Sequence, residues 1–220
     1  MNEYFGNMIL YRMCEENIKH ESVEKVAGKL WLISRSYAVS PQRRKRPDNI
    51  NTDRYEFFFD NIAELFIQNS KSRVLDNEIE RLSSASYTCD FDNDEELLYN
   101  TIVLVDLFNN LMIDVMKKYD KIEIGSVNNH VSLASKYLHF HLPNLVFIYD
   151  SYAGKNATKQ YKINDLSRRG IKFNKDSDLL TPKVKEIYKP HALKCYAKLC
   201  ALPQNERTPR NVDLTFLKGI

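Results

Sequence analysis

The sequence predicts a mainly α-helical protein, because apolar residues recur every three or four positions through most of its 220 residues. Only six glycines and seven prolines interrupt the chain, so helices meet few breaks. Strand signals are weak, and the clearest is the apolar stretch 144–149. We expect a compact multi-helix fold. It forms one domain over residues 1–220, or two packed lobes made of 22–142 and of 1–21 with 143–220.

The first four predicted helices are defined by their apolar faces. Ser22 is a suitable N-cap for a helix over 22–39. A loop of prolines and basic residues leads into the aromatic-rich helix 53–68. Helix 73–84 is more polar, so we expect it at the surface. Helix 94–119 has acids in its first turn, lysines in its last and a regular apolar repeat, which predicts a central core helix.

Prolines and capping residues set the later helices, which we predict over 129–141, 151–160, 182–202 and 208–217. Pro143 ends the first of these. Pro182 suits the first turn of the third, in which Pro190 predicts a kink. Thr208 and Pro209 form the N-cap and first-turn pair of the last.

Composition and charge narrow the classes of protein to which this chain can belong. It has no run of eighteen uncharged apolar residues and no signal-peptide pattern, so we expect a cytoplasmic protein without a membrane span. Its four cysteines lack the spacing of a zinc site, so we expect reduced thiols and no metal or cofactor. Net charge is only +3, but Arg43 and Arg44 open a dense basic cluster. That cluster binds phosphates or is a solvated loop.

The stretch SLASKYLHFHLPNLVFIYDSY, residues 132–152, organises the rest of the chain. It predicts a short helix, an exit at a proline, an apolar extended run, and then Asp150 immediately before a new helix. A carboxylate in that place costs free energy unless it is used or caps the helix. Asp150 is therefore a catalytic group, an N-cap, or both.

This stretch resembles the DNA glycosylases of the helix-hairpin-helix superfamily. In that family a hairpin leads into a helix that opens with a catalytic Lys (or its replacement), Thr and Ala, and a catalytic Asp lies sixteen positions after the Ala. Here Asp150 lies sixteen positions after Ala134. Pro143 and the LVFI run also have counterparts in the family pattern. The chain is also similar to a group of bacterial proteins with motifs such as KLWLISRSYA.

The resemblance implies that Asp150 is the catalytic carboxylate and that the segment before the helix binds DNA. The family's Gly-Val-Gly hairpin corresponds here to Asn128, Asn129 and His130, so this segment departs from the pattern. Ser132 stands where the lyase lysine would be, which implies a monofunctional enzyme without a Schiff base. The expected partner is nucleic acid, with DNA favoured over RNA, and the oligomeric state is open.

Helical spacing places further candidates near Asp150. Ser132 and Lys136 share a face with His139 or Phe140, at i, i+4 and i+7 or i+8. Lys136 is an ion-pair partner of Asp150 or an electrophilic group of the site. Alternatively, it is a snorkelling lysine that only neutralises the charge of the acid. His139 lies in the cleft or is a core histidine. Because His139 and His141 are two apart, they point in different directions, which argues against a two-histidine metal site.

Four further residues complete the predicted substrate site. Arg35 contacts phosphate or the pocket acid, or forms an ordinary ion pair. Tyr37 stacks on a base or belongs to the core. Ser151 and Tyr152 follow the acid directly and are expected beside the substrate.

The resemblance therefore implies hydrolysis of the N-glycosidic bond of a flipped base in DNA repair. The alternatives are a non-enzymatic nucleic-acid- or partner-binding protein on the same scaffold, and an enzyme acting on free nucleosides or nucleotides.

Overall fold

A computed structural model of the protein describes residues 5–37, 39, 58–120, 129–173, 175 and 178–218. These residues form ten α-helices and no strand: α1 (Phe5–Glu16), α2 (Val23–Tyr37), α3 (Phe58–Gln68), α4 (Ser70–Leu82), α5 (Phe91–Asp120), α6 (Val131–His141), α7 (Ser151–Gln160), α8 (Ile163–Arg168), α9 (Lys189–Ala201) and α10 (Pro209–Lys218). A π-helical segment, Val184–Tyr188, precedes α9, and a 3₁₀ turn, Gln204–Glu206, follows it. The mainly helical prediction is confirmed for this part of the chain.

The 30-residue helix α5 forms the centre of the fold, as its apolar repeat predicts. Its Ile102, Phe108 and Met112 are fully buried in a hydrophobic core to which the other helices contribute. Helices α3, α4 and α6 pack on it, and α9 and the π-helical segment contact it as well. Helices α7, α8 and α10 in turn pack on α9. The candidate site lies on α6, which packs on α5, and on α7, which packs on α9.

Local capping signals are confirmed at the start of two helices. Ser22 Oγ accepts a hydrogen bond from the backbone N–H of Lys25 at 3.4 Å. Thr208 Oγ1 accepts one from the N–H of Asn211 at 3.1 Å. Both hydroxyls therefore satisfy amides that have no partner within the helix.

Two local predictions need correction. Helix α4 is not purely a surface helix, since Leu75, Asp76 and Ile79 are buried. Asp76 is held inside by the backbone N–H of His20, 3.1 Å from its Oδ2. Where the sequence predicts a kink, at Pro190, the helix changes from a π-helical segment to α9, and the wider turn there accommodates the missing proline N–H.

The second correction concerns the stretch 144–149: residues 144 and 145 belong to the turn that follows α6, and residues 146–149 do not pair as a strand. Side chains from other elements bind its carbonyls instead. Phe147 O accepts a hydrogen bond from Tyr188 Oη at 3.0 Å, and Ile148 O accepts one from His191 Nε2 at 2.9 Å. Buried backbone groups need partners, and here those partners come from the far end of the chain rather than from a second strand.

Helix α5 also meets, over Phe91–Tyr119, the length and hydropathy expected of a membrane-crossing helix. In the most apolar part of that stretch, 61% is buried inside the protein, as in a core helix.

Candidate functional site

Asp150 is the N-cap of α7 and sits in extended backbone at φ −137°. Its Oδ1 accepts hydrogen bonds from the backbone N–H groups of Tyr152 at 2.9 Å and of Ala153 at 2.7 Å. The side chain is half-buried. Within the described part of the chain, no hydrogen bond is made to its second oxygen, Oδ2. One oxygen is therefore fixed by the helix, and the other is available to a ligand.

The carbonyl of Tyr149, next to Asp150, is the point where α6 meets the site. Lys136 Nζ donates to this oxygen at 3.1 Å, and Ser132 Oγ donates to it at 3.0 Å. Lys136 Nζ also donates to Ser132 Oγ at 2.7 Å. Ser135 Oγ accepts the N–H of Tyr149 at 3.0 Å. These bonds hold the backbone just before Asp150 in one position.

Lys136 is a buried cation, with 2% of its surface exposed. Burial lowers the pKa of Lys136 to about 8, while the nearby carboxylates of Asp150 and Asp213 act in the opposite direction. The Nζ atom also lies 5.8 Å from the centre of the Tyr37 ring, a cation–π contact. Its hydrogen bonds go to Ser132 and Tyr149 rather than to Asp150, so the charges interact without a direct bond.

Asp213 on α10 is a second acid near Lys136 that sequence reasoning missed. It is 4% exposed, and its Oδ2 accepts a hydrogen bond from Arg210 Nη1 at 2.7 Å. Its Oδ1 is buried without a hydrogen-bond partner in the described structure. Burial raises the pKa of Asp213 to about 6, although Arg210 and Lys136 lower it. Two carboxyl groups in different environments thus lie around one buried lysine.

The sequence contains a signal for Asp213, because the buried positions of α10 are Pro209, Val212, Asp213 and Phe216. An acid that falls within such an apolar stripe must find a partner in the core. Arg210, three residues earlier on the same helix, is that partner.

His139 is fully buried and lies on the core side of α6. Its Nδ1 donates to Val146 O at 2.8 Å, which leaves Nε2 to accept from Tyr11 Oη at 2.8 Å. Burial lowers the pKa of His139 to about 4, so the ring is neutral at pH 7. This geometry is that of the core-histidine alternative, not of a histidine that faces a cleft.

The other predicted substrate residues lie at the edge of the site or away from it. Tyr37 ends α2 and donates through Oη to Asn7 Oδ1 at 3.3 Å, so its ring is both a core contact and a neighbour of Lys136. Arg35 is exposed in the last turn of α2. Ser151 and Tyr152 are exposed at the start of α7, directly beside Asp150.

The predicted nucleic-acid contacts are only partly described. Arg43, Arg44 and Asn128 lie outside the described residues. Asn129 is exposed, and the backbone N–H of His130 donates to Asn109 Oδ1 at 2.8 Å, which ties the start of α6 to α5. Ser132 does not face outward, since its hydroxyl takes part in the hydrogen bonds around Tyr149 O.

Other parts of the described structure offer a cavity but no metal cluster. A cavity of about 500 Å³ lies at the start of α5, between Cys89, Arg169 and Tyr196, and Asp150 does not line it. Among the described residues, no group of three or more His, Cys, Asp or Glu side chains is arranged to hold a metal ion.

We compared the chain with protein-family models, curated proteins and solved structures, and none of the three comparisons returned a match. Function must therefore be argued from the site itself.

Proposed function

We propose that the protein is a monofunctional, DNA glycosylase-like hydrolase. It cleaves the N-glycosidic bond of a nucleotide that has been flipped out of DNA, and Asp150 is the catalytic carboxylate. The observation that carries this proposal is the geometry of Asp150: two backbone amides fix its Oδ1, its Oδ2 accepts no hydrogen bond from the described residues, and the carboxylate interacts electrostatically with the buried Lys136.

The proposed chemistry follows from the charge on that second oxygen. As the bond from the sugar C1′ to the base nitrogen breaks, positive charge develops on the sugar, and a fixed carboxylate stabilises it. A water oxygen then bonds to C1′, and the proton that the water loses ends on the departing base. Asp150 stabilises the cation or orients this water.

Lys136 acts in this proposal as a positioning residue that holds the Tyr149 carbonyl and so the backbone of Asp150. Its positive charge also interacts with both acids, Asp150 and Asp213, and partly offsets their negative charges. Nζ of Lys136 is buried and donates hydrogen bonds to Ser132 and Tyr149. Both features disfavour its use as a Schiff-base nucleophile, which supports a monofunctional reaction.

The test is release of free base from duplexes that carry a panel of damaged or modified bases. Wild-type protein is expected to release at least one base, and Asp150→Asn is expected to lose that activity while keeping the cap. Asp90→Asn is the matched control, because Asp90 also accepts a backbone N–H, that of Asp92 at 3.3 Å, at the start of a helix. No release from any duplex, or equal release by Asp150→Asn, would contradict the proposal.

A non-enzymatic nucleic-acid-binding protein is the second candidate. The observation in its favour is that both hydrogen bonds of Asp150 are cap bonds, so capping alone accounts for the residue. This candidate predicts salt-sensitive DNA binding that survives Asp150→Ala and is lost when Arg43 and Arg44 are changed to Gln. Salt-insensitive binding would contradict it.

A further inference from the structure

Helix α7 presents a row of exposed side chains that begins next to Asp150. Tyr152, Lys155 and Lys159 are spaced i, i+3 and i+7, so they lie on one face of the helix, and all three are exposed. The Tyr152 ring is 58% exposed, which is unusual for a large aromatic side chain. The opposite face of α7 is buried through Ala153, Asn156 and Ala157.

The buried face holds α7 rigidly against its neighbours. Asn156 Nδ2 donates to Phe216 O on α10 at 2.7 Å. A Cβ atom at Gly154 would lie 3.1 Å from Cε2 of Tyr149, so the helix lies close against that ring. The outer face of α7 is therefore fixed relative to Asp150.

The outer face of α7 also carries an excess of positive charge. Within the described part of the chain, neither Lys155 nor Lys159 makes an ion pair with a carboxylate. Residues 151–218 contain fifteen Lys and Arg but only six Asp and Glu, a net charge of +9, whereas the whole chain carries +3. The two lysines thus belong to a strongly basic part of the sequence and have their charges free for an external anion.

These features match a surface that follows a nucleic-acid strand. Such surfaces combine cations that contact phosphates with exposed aromatic rings on which bases stack, at about 1–3 kcal/mol per base. At about 1.5 Å per residue, the row from Tyr152 to Lys159 extends about 10 Å from the carboxylate. That length brings a ring and two ammonium groups alongside neighbouring nucleotides.

We propose that the outer face of α7 is the surface along which a DNA strand reaches Asp150. Tyr152 stacks on a base next to the reacting nucleotide, and Lys155 and Lys159 bind phosphates of the same strand. This inference rests on the proposed function, but it assigns phosphate contacts to Lys155 and Lys159, which the sequence pattern did not connect with binding.

The experiment measures binding of fluorescein-labelled single-stranded and duplex DNA by fluorescence anisotropy over a range of salt concentrations. The test variant is Lys155→Gln/Lys159→Gln, and the matched control is Lys19→Gln/Lys25→Gln, which removes two exposed lysines elsewhere. Losing two phosphate contacts should reduce the slope of log K against log salt by about 1.4 to 1.8 and weaken binding on the order of 10- to 100-fold at low salt. Tyr152→Ala should weaken binding with the slope unchanged, since stacking releases no counterion.

Failure of this inference is distinguishable from failure of the proposed function. If Lys155→Gln/Lys159→Gln binds DNA with the affinity and the salt slope of wild type, the inference that the outer face of α7 binds DNA is wrong, even when base release is intact. If the double variant loses binding to heparin or to phosphatidylserine vesicles as strongly as to DNA, the surface is a general anion site, and the inference is overturned. If DNA binding depends on the two lysines but no base is released, the surface stands and the proposed function fails.

Discussion

Replacing Lys136 with methionine should stabilise the protein, although it removes a residue of the candidate site. The pKa of Lys136 falls from 10.5 to about 8 on burial, which at about 1.4 kcal/mol per pH unit means that its charge costs the folded state about 3 kcal/mol. Methionine has a similar shape and no charge. Ser132 Oγ still donates to Tyr149 O in the variant, so no buried carbonyl loses its last partner.

We therefore expect Lys136→Met to raise the free energy of unfolding by about 1–3 kcal/mol and the Tm by several degrees, as replacement of buried charges by apolar groups often does. The assay is urea unfolding at pH 7, followed by circular dichroism. Lys71→Met is the control, because Lys71 forms a surface ion pair with Asp114 at 2.5 Å. This variant should lose at most about 1 kcal/mol of its free energy of unfolding.

The pH dependence provides a second test of the same reasoning. Between about pH 8 and 10.5 the unfolded chain binds the Lys136 proton and the folded chain does not, so wild-type stability should rise with pH in that range. Lys136→Met should lack this rise. If Lys136→Met is destabilised by more than about 1 kcal/mol, the fold needs the buried charge, and the reasoning that this charge costs the folded state stability is refuted.

Two other predictions concern the cap and the buried acid–base groups. Asp150→Ala should cost about 1–2 kcal/mol of stability and Asp150→Asn only a few tenths, because asparagine still caps α7; equal losses in urea unfolding would contradict the cap assignment. Acid should destabilise the fold between about pH 6.5 and 4, because burial lowers the pKa of His139 and of His191 to about 4. The unfolded chain therefore binds these two protons first, and each histidine should lower the free energy of unfolding by about 3 kcal/mol at pH 4. Asp213 opposes this acid destabilisation by about 3 kcal/mol, because its raised pKa makes the folded state bind the proton first. The loss of stability on acidification should therefore be larger in Asp213→Asn than in wild type. A thermal unfolding profile of that variant that is flat from pH 7 to 4 would contradict the pKa shifts assigned to the two histidines and to Asp213.

The features that the sequence predicts well are local ones. The cap at Asp150, the cap at Thr208 and the apolar repeat of α5 each depend on residues within a turn or two, so periodicity and capping rules are sufficient to find them. The same locality explains why α7 has the bounds that the sequence predicts, 151–160.

Features that depend on distant parts of the chain are not predicted in the same way. The stretch 144–149 has the composition of a strand. Its carbonyls, however, accept hydrogen bonds from Tyr188 and His191, which lie 41 and 43 residues away from their partners in the sequence, and not from a second strand. Asp213 reaches the site from the last helix, and no spacing rule connects it with Asp150. Helical spacing places His139 with Lys136, yet the packing of α1 on α6 brings Tyr11 over the histidine and seals it.

The most direct test of the catalytic role of Asp150 is the single-turnover rate of base release by Asp150→Ser. Serine caps a helix about as well as aspartate does but has no carboxylate, so the fold is retained and the charge alone is removed. On a duplex from which wild type releases base, we expect folded Asp150→Ser protein to show no release above the uncatalysed rate. Release at the wild-type rate would show that the carboxylate is a cap and nothing more.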